Sequence, residues 1–255
     1  MTSLPAQAEV RTLEYAANGQ VRNAQLRLPP LPTGKIRGTA VISTGTATLG
    51  IDPEHPIMVG LESLARAIET TLHESGYGVV RPDPSTGCGQ SAPEILQSAS
   101  SLLRAAFEAN GAGGRRVLIA LSAAAPLMAI AASERPVDGL VLIAPPILEP
   151  LSNRSDRVEL TLMEQLGVNP ELVTELANIG PMSKVGNATN KAFVVHGAAD
   201  QFVPSGDAIG WRASLAAAGT ISRRMEIAFA GHDLGPDPCR EAAVEAICRF
   251  VAEES

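Results

Sequence analysis

Val117-Leu-Ile-Ala-Leu-Ser122-Ala-Ala-Ala-Pro126-Leu-Met-Ala-Ile130 decides the fold. An unbroken apolar run, the pattern of a strand buried on both faces, ends in a serine and passes directly into a helical stretch. A strand-to-helix junction this tight forces the serine into a strained backbone conformation. It also needs small residues two before and two after the serine, where strand and helix approach, and Ala120 and Ala124 stand there. Pro126 falls in the first helical turn, where its missing N–H costs nothing. The hydroxyl is thereby lifted above the sheet at a helix N-terminus, whose backbone N–H groups favour a developing anion. A serine at this point also reads as an ordinary helix N-cap, and the rest of the chain has to decide between the two.

Downstream, Lys191-Ala-Phe-Val-Val-His196-Gly-Ala-Ala-Asp200-Gln-Phe-Val-Pro204 is a second buried strand, a turn, and an aspartate just past the strand end. Arg223-Arg-Met-Glu-Ile-Ala-Phe-Ala-Gly-His232-Asp is a strand followed by a loop that presents one histidine. A serine, an acid and a histidine in that chain order are the nucleophile, orienting acid and general base of one fold class.

The remaining segments supply the scaffold. Residues 9–15 and 20–28 alternate around Asn18-Gly19, a hairpin turn signal. Buried strand patterns follow at 38–43, 77–81, 116–121, 137–144, 191–196 and 223–229. Helical patterns lie between them at 59–75, 92–109, 123–133, 205–218 and 238–252. Strands alternating with helices predict an α/β fold with a mostly parallel, eight-stranded sheet, helices on both faces and an antiparallel hairpin at one edge. No repeat or low-complexity linker divides the chain, so it reads as a single domain. One interval breaks the rhythm. At about 146–187 no buried strand pattern occurs, and two amphipathic helical stretches, 156–166 and 170–179, suggest a short cap above the strand ends. Leu162 is the cap residue expected to meet substrate; core packing is the alternative for these apolar positions.

Taken together, these segments resemble the α/β-hydrolase superfamily from about residue 8 to the C-terminus. Ser122 matches the nucleophile-elbow serine, Asp200 the acid of a His-Gly-x-x-Asp element, and His232 the Gly-His pair before the last helix. Gly76-Tyr-Gly-Val-Val-Arg-Pro-Asp83 resembles the superfamily's Gly-Tyr-x-Val-x-x-Pro-Asp strand, and Pro181-Met-Ser-Lys-Val185 the segment leading out of a short cap. Two departures stand out. The elbow reads Ala-x-Ser-x-Ala in place of Gly-x-Ser-x-Gly, and the loop after the third strand reads Thr44-Gly45-Thr46 where the superfamily usually has His-Gly. That loop supplies half of an oxyanion hole built from backbone N–H groups, so side-chain identity binds less tightly there. The resemblance implies the N–H of Ala123 and that of Thr46, or of Ala47 one residue on, as the donors. The hydroxyls of Thr44 and Thr46 either contact substrate or bond the loop to itself.

Other candidates are weaker. His55, in Gly50-Ile-Asp-Pro-Glu-His55-Pro, lies on a loop facing the site and is a candidate substrate contact. His196 reads as a satisfied core histidine, His73 as an exposed helical side chain, Asp83 as a residue fixing the loop after its strand, and Cys88 as a small loop residue. No glycine pattern follows the dinucleotide rule and no histidine or carboxylate cluster has metal spacing, so neither a cofactor nor a metal is expected.

Composition bounds the rest. A chain of 255 residues, 45% apolar and 18% charged, is in the globular regime. Its size lets it bury roughly 70–75% of its unfolded surface without a disulfide or metal staple. Aromatics make up only 3%, so pockets lined by aliphatic side chains, and an aliphatic substrate, are expected. A net charge of −7 argues against nucleic acid and anionic membrane as partners. The three cysteines, Cys88, Cys239 and Cys248, contain no C-x-x-C pair and read as free thiols of a reducing compartment. No signal-peptide pattern opens the chain and no apolar run reaches a membrane span, so a cytoplasmic monomer or homodimer is expected. The reaction these features imply is acyl transfer from an ester or thioester, free or carrier-bound, to water. Elimination with His232 as base, transfer to another acceptor, and a non-catalytic binding role are the alternatives.

Overall fold

The computed structural model describes residues 9–29, 36–86, 91–109, 114–148 and 166–253. Its strands are β1 (Glu9–Ala17), β2 (Gln20–Leu28), β3 (Gly38–Ser43), β4 (Tyr77–Pro82), β5 (Arg115–Leu121), β6 (Gly139–Ile143), β7 (Lys191–Gly197) and β8 (Ile221–Ile227). They form one eight-stranded sheet in the order β1-β2-β4-β3-β5-β6-β7-β8. β1 and β2 pair antiparallel through the Asn18-Gly19 turn, β2 pairs antiparallel with β4, and every later pair is parallel. The helices are α1 (Thr46–Leu49), α2 (Pro56–Glu74), α3 (Ala92–Ala109), α4 (Ala124–Glu134), α5 (Pro170–Ile179), α6 (Pro181–Lys184), α7 (Ser205–Ala217) and α8 (Asp237–Ala252).

The continuous apolar runs follow from burial on both faces. Side chains alternate across a strand, and each central strand divides its residues between two apolar clusters. Val117, Ile119 and Leu121 of β5 face one cluster with α2 and α8, while Leu118 and Ala120 face the other with α3, α4 and α7. β6 and β7 divide the same way, with Val141 and Val195 on the first side, Leu142 and Val194 on the second. Helix α4 is buried from Ala124 through Ala132 without a break. A helix apolar all round belongs inside the protein, and its alanines let it lie close to the middle of the sheet.

Several elements differ from the sequence expectation. The edge strand β8 runs over Ile221–Ile227, two residues earlier than the apolar alternation of Ile227-Ala-Phe-Ala suggests. Phe229 falls beyond it, at a φ of 63° and 86% exposed. An edge strand is half solvated, so its backbone pairs through polar and apolar residues alike, from Ile221 to Ile227, and its apolar pattern misleads. β6 is shorter than expected because Ala144 turns to a φ of 45°, and Val137 makes only an isolated bridge to Thr189. His73 is not an exposed helical residue: its Nε2 lies 2.5 Å from the Leu28 carbonyl and ties α2 to the end of β2.

The interval between β6 and β7 is anchored where it is described. Leu166, Val168, Leu172, Val173 and Leu176 join the apolar cluster that contains Leu121 and Ala123. The Glu175 carboxylate accepts the Ala92 N–H at 2.9 Å, pinning α5 to the first turn of α3. Leu162 and most of the 156–166 stretch lie outside the described residues.

Candidate active site

The elbow places Ser122 at a φ of 51°, in the left-handed region that a residue with a Cβ enters at a cost of roughly 1–3 kcal/mol. Backbone bonds hold it there. The Ser122 N–H donates to the Ile143 carbonyl at 2.8 Å, extending the β5–β6 ladder by one bond, and the Ser122 carbonyl accepts the Ala125 N–H at 2.9 Å as α4 begins. Ala120 and Ala124 are both wholly buried at the contact between strand and helix, so a methyl at each position is accommodated.

Asp200 follows β7 in a tight turn, its N–H donating to the Gly197 carbonyl at 3.2 Å. One carboxylate oxygen accepts the N–H groups of Phe202 and Val203 at 2.8 and 3.0 Å. The other lies 2.8 Å from Nδ1 of His232. Nε2 of His232 lies 2.7 Å from the Ser122 hydroxyl. With Asp200 ionised, Nδ1 must carry the proton and donate to it, which leaves Nε2 to accept from the serine. Burial pushes the Asp200 carboxyl up; the hydrogen bond and charge of His232, joined by the two backbone amides, outweigh it and hold the group below the ordinary carboxylate range. The Phe202 ring stands edge-on to the His232 imidazole, centroids 5.6 Å apart, and limits its rotation.

His196 is fully buried and supports this turn, but through one nitrogen only: its Nδ1 has no hydrogen-bond partner among the described residues, so it is not the fully satisfied core histidine expected. Its Nε2 donates to the Val203 carbonyl at 2.9 Å and lies 3.5 Å from the same Asp200 oxygen that meets His232. The buried thiol of Cys248 is pushed up to about 12 and offers no rival nucleophile.

The Thr44–Thr46 loop lies against the elbow. Gly45, at a φ of 97°, has its missing Cβ position 3.7 Å from the Ala124 nitrogen. Thr46 and Ala47 open α1, whose single turn closes from the Leu49 N–H to the Gly45 carbonyl at 2.8 Å. Among the described residues, neither the Thr46 nor the Ala123 N–H makes a backbone hydrogen bond beyond those within helices and strands. Both hydroxyls of the loop turn toward Glu62 on α2, Thr44 at 2.5 Å and Thr46 at 3.5 Å. Sequence reasoning did not single out Glu62, and a carboxylate in an amphipathic helix carries no local signal that it faces inward.

His55 caps α2, its Nδ1 accepting the Ile57 N–H at 3.3 Å. Asp83 fixes its loop as expected, accepting the N–H and hydroxyl of Ser85 at 2.9 and 2.7 Å. Cys88 lies outside the described residues. Two cavities border the site. One, of about 360 Å³, is walled by Ile57, Phe202, Gly231 and His232. The other, of about 640 Å³, runs from Thr44 and Thr46 past Glu62, Arg66 and Arg81. Its polar wall departs from the aliphatic lining that composition suggests, because composition averages over a core that consumes most of the apolar residues. Among the described residues no group of three histidine, cysteine or carboxylate side chains is placed to hold a metal, and no helix is long and apolar enough to cross a membrane.

No protein-family model matches the sequence, and no characterised protein matches it in a sequence comparison. Solved structures do match. Est1E from Butyrivibrio proteoclasticus superposes with a TM-score of 0.67 at 15% identity, over 95% of this chain and 99% of its own. The esterase domain of a Rhodothermus marinus protein gives 0.64 at 20% identity, over 95% and 98%. The Pyrococcus horikoshii acylaminoacyl peptidase gives 0.69 at 12% identity, over 97% of this chain and 43% of its own. These similarities concern the architecture.

Proposed function

This chain has the α/β-hydrolase fold, and we propose that it is a serine hydrolase cleaving an ester or thioester of a small-to-medium, aliphatic acyl substrate. The observation that carries the reading is the unbroken hydrogen-bonded line from Asp200 through His232 to Ser122, with spacings of 2.8 and 2.7 Å. In this reading Ser122 attacks the acyl carbonyl while His232 Nε2 takes its proton. Asp200 keeps the imidazole in the required tautomer and stabilises the imidazolium. The N–H groups of Ala123 and Thr46 bind the oxyanion, and His232 returns its proton to the leaving group. Water, deprotonated by the same histidine, then releases the acid. The apolar cavity wall at Ile57 and Phe202 suits an aliphatic group.

The test is turnover of esters and thioesters of graded chain length in ¹⁸O-labelled water by the wild type and by Ser122→Ala and His232→Ala. The expected result is label in the carboxylate product, with both variants losing about 10⁴–10⁶ in kcat because triad members act as a unit. An unlabelled, unsaturated product from a Ser122→Ala variant that still turns over would replace hydrolysis with elimination.

A further inference from the structure

A four-residue helix entered through a glycine cannot hold itself, because one turn fixes several residues for a single hydrogen bond. Yet the Thr44–Thr46 loop has to present a backbone N–H at a fixed point if it is to stabilise an oxyanion. We propose that Glu62 is the positioning residue of this loop and that Arg81 positions Glu62. The inference rests on the acyl-transfer reading of the site.

Glu62 stands on α2 with a half-buried carboxylate, and both of its oxygens are engaged. One accepts the Thr44 hydroxyl at 2.5 Å and lies 3.5 Å from that of Thr46, and the two hydroxyls are themselves 3.3 Å apart. The other pairs with the Arg81 guanidinium near the end of β4. The second branch of Arg81 lies 3.7 Å from Glu69, which is 7% exposed and meets Arg27 at 3.1 Å. The carboxylate therefore has little rotational freedom, and the chain of contacts joins the loop after β3 to α2, β4 and β2. Charge argues the same way. A carboxylate close to a developing oxyanion opposes it, so its presence needs both a neutralising partner and a task. Arg81 is the partner, and accepting the loop's two hydroxyls is the task. Thr44 and Glu62 are thus a matched pair.

The test uses the full chain, an activated short-chain aliphatic ester, and the variants Thr44→Val, Thr44→Ser, Glu62→Ala, Glu62→Gln and Thr44→Val/Glu62→Ala. Thr44→Val leaves every charge in place and carries the test should Glu62→Ala fold poorly. A displaced oxyanion donor predicts about a 10- to 100-fold fall in kcat for Thr44→Val and Glu62→Ala with KM nearly unchanged. Thr44→Ser, which keeps the hydroxyl, recovers most of the loss, whereas Glu62→Gln keeps one acceptor oxygen but loses the ion pair with Arg81 and recovers only part of it. The double variant is no worse than Glu62→Ala alone, because both changes break one contact. Variants that fold less stably but keep the wild-type kcat, or losses that multiply in the double variant, would overturn the positioning role while leaving the hydrolase reading intact. A wild type that neither turns over esters nor forms an acyl-enzyme would remove both.

Discussion

Gly197 and Gly231 meet backbone to backbone: a Cβ on Gly197 would stand 2.3 Å from the Gly231 carbonyl oxygen and 2.4 Å from that of Ala230. The contact joins the end of β7 to the loop after β8, and Asp200 and His232 lie just beyond it on either side. The neighbouring Ala199 N–H donates to the Ala230 carbonyl at 2.8 Å. Neither loop can yield without moving one member of the pair.

Gly197→Ala should accordingly cost about 1–3 kcal/mol of stability through overpacking against backbone. It should also lower kcat, since the Asp200–His232 spacing opens. Urea melts beside steady-state kinetics check this; wild-type stability and rate in the variant would show that the loops are free to part.

Asp200→Asn should lower kcat by about 10⁴, because an amide no longer selects the productive imidazole tautomer. It should also alter the acid limb of stability. Folding depresses the Asp200 carboxyl, so its contribution is complete above the unfolded value and is lost as pH falls through the folded one. Melts through the acid range should therefore show a shallower decline for Asp200→Asn than for the wild type, and equal slopes would mean that the carboxylate gains nothing on folding.

Leu176 is 1% exposed and lies in the main core cluster. Leu176→Ala should cost about 2–5 kcal/mol and leave acyl chain-length preference unchanged, as expected for a core position. Thermal melts run with an ester panel distinguish this from a lid, in which preference shifts and stability does not.

The central strands and the serine–aspartate–histidine order were legible because they depend on local pattern. Val117–Leu121 and Lys191–His196 are apolar enough to admit only burial on both faces, and Ser122 sits where strand period gives way to helix period. The Glu62–Arg81 support of the Thr44 loop was not legible. It joins residues far apart in sequence, and each alone reads as a solvated charge. His196 was legible as buried, but its second contact, to Asp200, depends on how the turn at 197–203 folds back. Phe229 misled because alternation of apolar residues persists past the point where β8 stops pairing.

The central claim is that Ser122 is a nucleophile activated by His232. Intact-mass spectrometry of the native chain after fluorophosphonate treatment, followed by peptide mapping, tests it most directly. One adduct per chain, located on Ser122 and absent from Ser122→Ala, from His232→Ala on the same timescale and from heat-denatured protein, is the predicted result. An unlabelled native chain, or an adduct on any other residue, would contradict it.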